Sequence, residues 1–161
     1  MPDPTPYIIY TDGACLGNPG PGGYAAIVRQ GAQEREFSGG FRRTTNNRME
    51  LTAAIVALES IPAGSQATLY SDSNYLVQAV NLGWARGWKA KGWRRSTKEK
   101  ALNPDLWERL LKLLDQRKVT FVWVRGHAGN SQNERCDRLS VAAAQRPNLP
   151  PDAVFEAGEK I

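Results

Sequence analysis

Two aspartates close two short strand-like runs that end in nearly the same tripeptide. Asp12 follows the run Tyr7–Tyr10, and Asp72 follows the run Ala67–Tyr70. If these two strands lie side by side and parallel, the aspartates occupy equivalent points, about 5 Å apart across the ladder. Two like charges this close require a proton, a basic partner or a metal ion between them. The pair therefore predicts the centre of an active site.

Two further carboxylates could reach the same edge, although each has an ordinary structural explanation. Glu50 lies in the first turn of a predicted helix, where Asn47–Glu50 also fits a capping box, and the local sequence favours the cap. Asp137 lies in the last predicted helix, where a solvated aspartate is the usual case, and Asp72 could simply precede a helix N-terminus. Together, however, three Asp and one Glu form an oxygen-rich set that suits Mg²⁺ or Mn²⁺. Two ions sharing such carboxylates would form the clamp used for in-line displacement at phosphorus.

The only histidine, His127, lies between two glycines in a loop that connects the last predicted strand and helix. A solitary surface histidine is usually inert, but a mobile one at this edge could move protons near neutral pH. The local sequence leaves both interpretations open. The two cysteines, Cys15 and Cys136, are too few for a disulfide framework and predict free thiols.

A basic segment from residue 84 to residue 100 carries the whole positive excess of the chain. It contains seven Lys or Arg and a single Glu, whereas the net charge of the complete chain is +5. Such a local patch is suited to a polyanion. Three of the five tryptophans also lie there, and we expect them partly to pack the segment onto the domain and partly to contact a nucleic acid.

The order of the predicted elements indicates an α/β fold. Three strands are followed by helices that alternate with two more strands, which predicts a five-stranded mixed sheet with helices on both faces. Ligands in such sheets gather at the carboxyl ends of strands. The sequence predicts a domain over residues 7–145, an N-terminal extension over residues 1–6, and a loose C-terminal tail over residues 146–161, which lacks hydrophobic periodicity.

Composition argues against a membrane protein. Hydrophobic residues make up 41% and charged residues 23% of the chain, which is ordinary for a soluble protein. No apolar run approaches the roughly 20 residues that a membrane span needs, and the first residues lack a signal-peptide pattern. We therefore expect a cytoplasmic protein.

Four motifs, in this order and spacing, closely resemble the bacterial type 1 ribonuclease H family. They are Thr11–Gly23, Thr44–Leu51, Asp72–Ser73 and Gly126–Asp137. The resemblance runs through about residues 7–145 and implies a ribonuclease H-like fold with a basic protrusion over residues 84–103. It also implies an endonuclease that cuts the RNA strand of RNA–DNA hybrids, leaves 5′-phosphate and 3′-hydroxyl ends, and functions in removing RNA primers or stray hybrids.

The resemblance also implies roles for the acidic residues. Asp12, Glu50, Asp72 and Asp137 would hold two Mg²⁺ ions, for which Mn²⁺ could substitute, with Asp12 bridging both. His127 would assist proton movement and product departure. For Glu50, the resemblance overturns the local preference for a helix cap.

By the same resemblance, a further set of residues would contact the hybrid. The 2′-hydroxyls that distinguish RNA from DNA are read in the minor groove, and the residues expected there are Cys15, Gly17, Asn18, Asn46 and Asn74. Asn74 departs from the family pattern, because a longer Gln is expected at this position. The residues expected to contact the DNA strand are Arg43, Thr45 and Asn103 at a phosphate, and Trp84, Lys89, Lys91, Trp93, Arg94 and Arg95 in the protrusion.

Three other functions compete with this interpretation. The first is a module on the same scaffold that binds RNA–DNA hybrids without cutting them. The second is an ATP-using phosphotransferase with the Gly17–Gly23 loop on phosphates, but this loop lacks the Gly-Lys-Ser/Thr ending of a P-loop. The third is a transposase or junction nuclease that acts on DNA duplexes. The complete set of four carboxylates favours a hybrid-cutting nuclease over the first of these, and we expect the nuclease to be monomeric.

Overall fold

The computed structural model describes residues 5–125 and 131–159, which form one mixed five-stranded sheet with the order β3-β2-β1-β4-β5. The strands are β1 (Tyr7–Cys15), β2 (Gly20–Gln30), β3 (Gln33–Thr44), β4 (Gln66–Ser71) and β5 (Lys118–Trp123). The first three form an antiparallel meander, whereas β1, β4 and β5 run parallel. The predicted five-stranded mixed sheet is thus confirmed.

Helices cover both faces of this sheet, as predicted. They are α1 (Asn46–Glu59), α2 (Asn74–Asn81), α3 (Trp84–Ala90), α4 (Pro104–Gln116), α5 (Ser131–Ala144) and α6 (Ala153–Gly158). Along β2, Ala26 and Val28 join the main core beneath α1 and α4, whereas Ala25 and Ile27 face α5. This alternation follows from the period of two in a strand. Within the described residues, no helix is long and apolar enough to cross a membrane.

The start of α1 differs from the predicted capping box. Thr45 is the N-cap, and its hydroxyl accepts a hydrogen bond from the backbone N–H of Arg48 at 3.3 Å. The helix therefore begins at Asn46, and Glu50 lies too far along it to close a cap. The interpretation of Glu50 as a capping residue, which the local sequence favours, is wrong. Its side chain is left available for the site at the end of the sheet.

Aromatic rings fasten the basic protrusion to the domain. The Trp88 ring lies 6.5 Å from that of Tyr75 and 6.0 Å from that of Trp107, between ring centroids. Trp93 also packs, half-buried, against the main core, whereas Trp84 is exposed. Two of the three tryptophans thus serve the packing role expected for part of this set.

The described part of the C-terminal segment, residues 146–159, is tied to the domain, whereas the sequence predicts a loose tail over residues 146–161. The backbone N–H of Arg42, on the edge strand β3, donates to the carbonyl of Pro150 at 2.9 Å. Asp152 is buried and accepts hydrogen bonds from Thr44 Oγ1 at 2.7 Å and from Arg48 Nε at 2.7 Å. Arg48 also forms a bidentate pair with Asp105 at 2.8 and 2.9 Å. Charge pairing, rather than a hydrophobic face, therefore orders this segment.

We refer to Arg48, Asp105 and Asp152 as the Arg48 cluster. Burial lowers the pKa of the Arg48 guanidinium, but hydrogen bonds to the two carboxylates outweigh this and hold the pKa above its ordinary value. Arg48 is therefore charged at any pH at which the protein folds. It joins the start of α1, the start of α4 and the C-terminal segment.

The Arg48 cluster makes a testable contribution to stability. Asp152→Ala leaves a buried guanidinium with one carboxylate fewer, and we expect the free energy of unfolding to fall by about 3 kcal/mol in urea denaturation. Asp115→Ala is the matched control, because its ion pair with Arg86 is exposed and its loss should cost under about 1 kcal/mol. Equal, small losses in both variants would show that the C-terminal segment is not held by this cluster.

Candidate active site

Parallel pairing of β1 with β4 brings Asp12 and Asp72 together. Tyr10 lies opposite Tyr70 in the ladder, and their rings stack with centroids 5.3 Å apart. Both aspartates come two residues further along their chains and are therefore at matching positions, as the sequence predicts. The first strand does not close at Asp12, however, as the sequence analysis expects, because β1 continues to Cys15 against β2. Asp12 thus lies where the pairing with β4 ends, not where the strand ends.

Gly13 allows α1 to bring Glu50 to the same place. A Cβ at this position would lie 2.5 Å from the backbone nitrogen of Glu50 and 2.7 Å from the carbonyl carbon of Met49. Only glycine therefore permits this approach of α1 to β1. As a result, carboxylate oxygens of Asp12, Glu50 and Asp72 lie within 4.8 Å of one another.

Asp137 reaches this site from the opposite face of the sheet. It lies on α5 and lines, with the other three acids, a cleft of about 380 Å³. Asp137 is not part of the tight group of three, but its negative charge contributes to the raised pKa of Asp12. The structure thus brings all four predicted acids to one cleft.

Burial and mutual repulsion make the metal-free cluster unfavourable when charged. Burial, followed by the charge of Asp72, raises the pKa of Asp12 to about 7. Burial, followed by the charges of Asp12 and Asp72, raises the pKa of Glu50 well above its ordinary value. Among the described residues, Glu50 Oε2 is buried and has no hydrogen-bond partner. A divalent cation would neutralise these charges and supply the missing partner, and an all-oxygen donor set suits a hard ion.

The backbone of Asp72 has a support that the sequence analysis missed. The indole N–H of Trp123, at the end of β5, donates to the carbonyl of Asp72 at 3.1 Å. A tryptophan at a strand end carries no local signal for this contact, which depends on the parallel pairing of β4 with β5. It fixes the chain where β4 ends.

Two of the three groups of predicted nucleic-acid contacts adjoin the acidic cleft. Asn46 and Asn74 line the cleft itself, and the backbone N–H of Asn46 donates to Asn18 Oδ1 at 3.1 Å. Cys15 directs its thiol to the carbonyls of Gly20 and Thr44, and both cysteines are free thiols as predicted. The Cys15–Asn18 loop is thus tied to the start of α1. His127 lies outside the described residues.

The other group leads from the cleft to the protrusion. A second cleft, of about 210 Å³, shares Asn47 and Tyr75 with the acidic cleft and is also lined by Trp84 and Arg95. The charged residues of the protrusion are exposed beyond it: Lys89, Lys91, Arg94 and Arg95. The two clefts therefore form a continuous path from the acids to the positive patch.

The predicted phosphate contacts lie beside the Arg48 cluster. Asn103 is the N-cap of α4 in the left-handed conformation, with a φ of 59°, and its Oδ1 is 3.4 Å from Arg48 Nη1. Thr45 is the N-cap of α1. Arg43, two residues before Thr45, pairs with Glu159 of the C-terminal segment. The sequence analysis missed Arg48, Asp105 and Asp152, because the two ends of the Arg48–Asp152 pair are 104 residues apart.

Residues 4–145 match the family model described as RNase H. The chain belongs to the ribonuclease H family. A ribonuclease H of Syntrophus aciditrophicus is 63% identical over 145 residues, which cover 90% of this chain and 84% of the relative. A ribonuclease HI of Synechocystis is 57% identical, over 91% of this chain and 92% of the relative.

Solved structures agree with this membership. The crystal structure of LC9-RNase H1, a type 1 RNase H with the type 2 active-site motif, superimposes with a TM-score of 0.77 at 32% identity. The match covers 89% of this chain and 74% of that one. The ribonuclease H-like fold is therefore confirmed, and the protein is an enzyme, a nuclease that hydrolyses phosphodiester bonds. Ribonucleases H depend on metal ions, consistent with the acidic cluster.

The raised pKa of Asp12 predicts how metal-free stability depends on pH. Between pH 3.8, the ordinary pKa of an aspartate, and about pH 7, Asp12 keeps its proton in the native state but loses it in the unfolded chain. The free energy of unfolding therefore falls as the pH rises through this range. Asp12→Asn removes this dependence and keeps the hydrogen bond from Gly13 N–H. In EDTA at pH 8 we expect the variant to be more stable than the wild type by up to about 4 kcal/mol in urea denaturation, because the pKa shift from 3.8 to about 7 spans about three units and one unit corresponds to about 1.4 kcal/mol.

At pH 3 the stabilities of the two proteins should converge, because Asp12 is then mostly protonated in the unfolded chain as well as in the native state. A variant that is less stable than the wild type at every pH would show that the carboxylates are not in repulsive contact.

Proposed function

We propose that this protein is an endoribonuclease that hydrolyses the RNA strand of RNA–DNA hybrids by two-metal-ion catalysis, leaving 5′-phosphate and 3′-hydroxyl ends. The observation that carries the proposal is the group of three carboxylates with oxygens within 4.8 Å of one another, in a cleft that continues to an exposed basic protrusion. The first feature suits phosphoryl chemistry and the second suits a polyanion. Family membership and the ribonuclease H name of the bacterial relatives support the same activity.

The four acids take different parts in the proposed reaction. Asp12 interacts with each of the other three acids, since Glu50, Asp72 and Asp137 all affect its pKa, and it would be the ligand shared by both ions. Glu50 and Asp72 would help to hold the ion that faces the leaving oxygen, and Asp137 would help to hold the ion that carries the attacking water. When bound, two Mg²⁺ ions, or Mn²⁺ in their place, activate the water and stabilise the leaving group. His127 is proposed to move a proton and assist product departure.

Recognition of the hybrid is divided between its two strands in this proposal. Near the acids, the RNA strand meets the minor-groove set defined by Cys15, Gly17, Asn18, Asn46 and Asn74, where 2′-hydroxyls can be read. The DNA strand meets a phosphate site formed by Arg43, Thr45 and Asn103, and then the protrusion with Trp84, Lys89, Lys91, Trp93, Arg94 and Arg95. The shorter side chain of Asn74 makes a water-mediated contact more suitable than a direct one.

The biological setting follows from this activity and is proposed with it. A monomeric enzyme of this kind would remove RNA primers or stray hybrids during DNA replication in the cytoplasm. A binding module on the same fold would hold hybrids without cutting them. The two functions differ in their requirement for the acids, which the next experiment measures.

Asp12→Asn should reduce cleavage of a strand-labelled RNA–DNA hybrid at least about a thousandfold in Mg²⁺. Charge stabilisation by the ions is worth several kcal/mol, and about 1.4 kcal/mol corresponds to a factor of ten in rate. Hybrid binding, followed by fluorescence anisotropy, should persist, because the proposed phosphate and protrusion contacts are intact. EDTA should abolish wild-type cleavage, and exposed Asp115→Asn should cleave normally. Undiminished turnover by Asp12→Asn, or absence of cleavage by the wild type, would contradict the proposal.

Neutralising the protrusion should weaken binding without altering the chemical step. We expect Lys89→Gln/Lys91→Gln to raise KM for the hybrid severalfold, to leave kcat within about twofold, and to make the log–log salt dependence of affinity shallower by up to about 2, since each phosphate contact contributes about 0.9. Arg94→Gln/Arg95→Gln should act similarly.

The matched control for these double variants is Lys112→Gln/Lys118→Gln. Both lysines are exposed, and Lys118 begins β5, at the end of the sheet away from the acids. If the control raises KM equally, the effect is one of net charge and the protrusion has no specific role.

A further inference from the structure

The C-terminal segment places an acid on an arginine of the proposed phosphate site. Arg43 Nε lies 2.9 Å from Glu159 Oε1, and Arg43 Nη2 lies 2.9 Å from Glu159 Oε2. The two N–H groups donate in parallel to the two carboxylate oxygens. Arginine binds either a carboxylate or a phosphate with this bidentate geometry. The Glu159 carboxylate thus uses the same donors that a DNA phosphate would need.

A second pair repeats this arrangement one residue earlier. Arg42 Nη2 lies 2.8 Å from Glu156 Oε1, and Arg42 Nε lies 3.0 Å from Glu156 Oε2. Glu156 and Glu159 are three residues apart and therefore face the same side of a helical segment. The two acids together match two consecutive arginines at the end of β3.

The segment also forms one wall of the cleft that contains Asn103. This cleft, of about 320 Å³, is lined on one side by Asn103–Asp105 and on the other by Val154, Phe155, Gly158 and Glu159. A phosphate held jointly by Arg43 and Asn103 would therefore meet Glu159 at the cleft. The acid and the proposed ligand compete for the same donors.

The C-terminal segment is anchored to the domain at Asp152, whereas its contact with Arg43 can be replaced by another anion. Asp152 is buried in the Arg48 cluster, but the side chains of Arg43 and Glu159 are 48% and 31% exposed. An exposed ion pair is weak, because water screens its charges. Displacement of Glu159 therefore does not require the segment to leave the domain.

We propose that Glu159 is an intramolecular competitor of the DNA strand, which occupies Arg43 until a backbone phosphate of the hybrid displaces it. This inference rests on the proposed function, specifically on the phosphate site at Arg43. Its consequence is weaker binding of polyanions that have no phosphate aligned to this site, because such ligands cannot replace the bidentate pair. The segment thus regulates access to the DNA-strand side of the site.

Glu159→Gln tests the competition in an otherwise intact chain. We expect the Kd for an RNA–DNA hybrid, measured by anisotropy in EDTA, to fall about two- to fivefold, which is the range of an exposed ion pair. In Mg²⁺, KM should fall similarly and kcat should stay unchanged, since Glu159 lies outside the acidic cleft. Glu156→Gln should give a smaller decrease in both constants.

The matched control is Glu59→Gln. It removes the same charge and also breaks an exposed ion pair, with Arg109 at 3.5 Å. Glu59 is the last residue of α1. At a rise of about 1.5 Å per residue, it lies about 20 Å from the start of that helix. An equal fall in Kd for this variant would show a general charge effect and overturn the proposal.

A double-mutant cycle with Arg43→Ala separates this inference from its premise. Arg43→Ala should raise Kd, and adding Glu159→Gln to it should then change nothing. If Glu159→Gln lowers Kd equally in that background, or if Arg43→Ala leaves Kd unchanged, the competition is refuted. A wild type that binds the hybrid but does not cleave it would refute the proposed function while leaving the competition measurable in EDTA.

Discussion

The close approach of like charges is the constraint on which the rest of the structure depends. Three carboxylates with oxygens within 4.8 Å of one another repel, and two of them are buried. Without a cation, burial and repulsion together favour protonation, as the raised pKa values of Asp12 and Glu50 show. The fold holds the arrangement nevertheless, and thereby builds in advance a site whose charge a divalent cation can balance.

Several unrelated contacts hold the three carboxylates in this arrangement. The stacked tyrosines and parallel pairing fix Asp12 against Asp72, Gly13 lets α1 approach closely enough for Glu50, and Trp123 supports the backbone of Asp72. The Arg48 cluster then ties the start of α1 to α4 and to the C-terminal segment. The same cluster lies beside Asn103. It therefore holds the helix that carries Glu50 and the proposed phosphate site in a fixed arrangement. The acids thus destabilise the folded state, and the packing and charge pairing around them stabilise it, as is common at functional sites.

Local and non-local information explain which features the sequence predicts. Asp12 and Asp72 follow matching strand runs, so their proximity can be predicted from short motifs and one assumption of parallel pairing. Glu50 is assigned to the site only through the family resemblance, because the local sequence Asn47–Glu50 resembles a capping box. In the structure, the N-cap of this helix is Thr45. The order of the C-terminal segment could not be predicted, since a charge pair across 104 residues leaves no periodic pattern. The contact of Glu159 with Arg43 was missed for the same reason.

The most direct test of the central claim is anomalous X-ray diffraction from crystals of the wild type soaked in Mn²⁺ with a bound hybrid whose RNA strand carries a non-hydrolysable linkage at the cleavage site. The account predicts two anomalous peaks in the acidic cleft, one within coordination distance of Asp12, Glu50 and Asp72, and one between Asp12 and Asp137. Crystals with ordered hybrid and clear carboxylate density but no anomalous peak at this group would contradict it, because the four acids would then be gathered for something other than divalent cations.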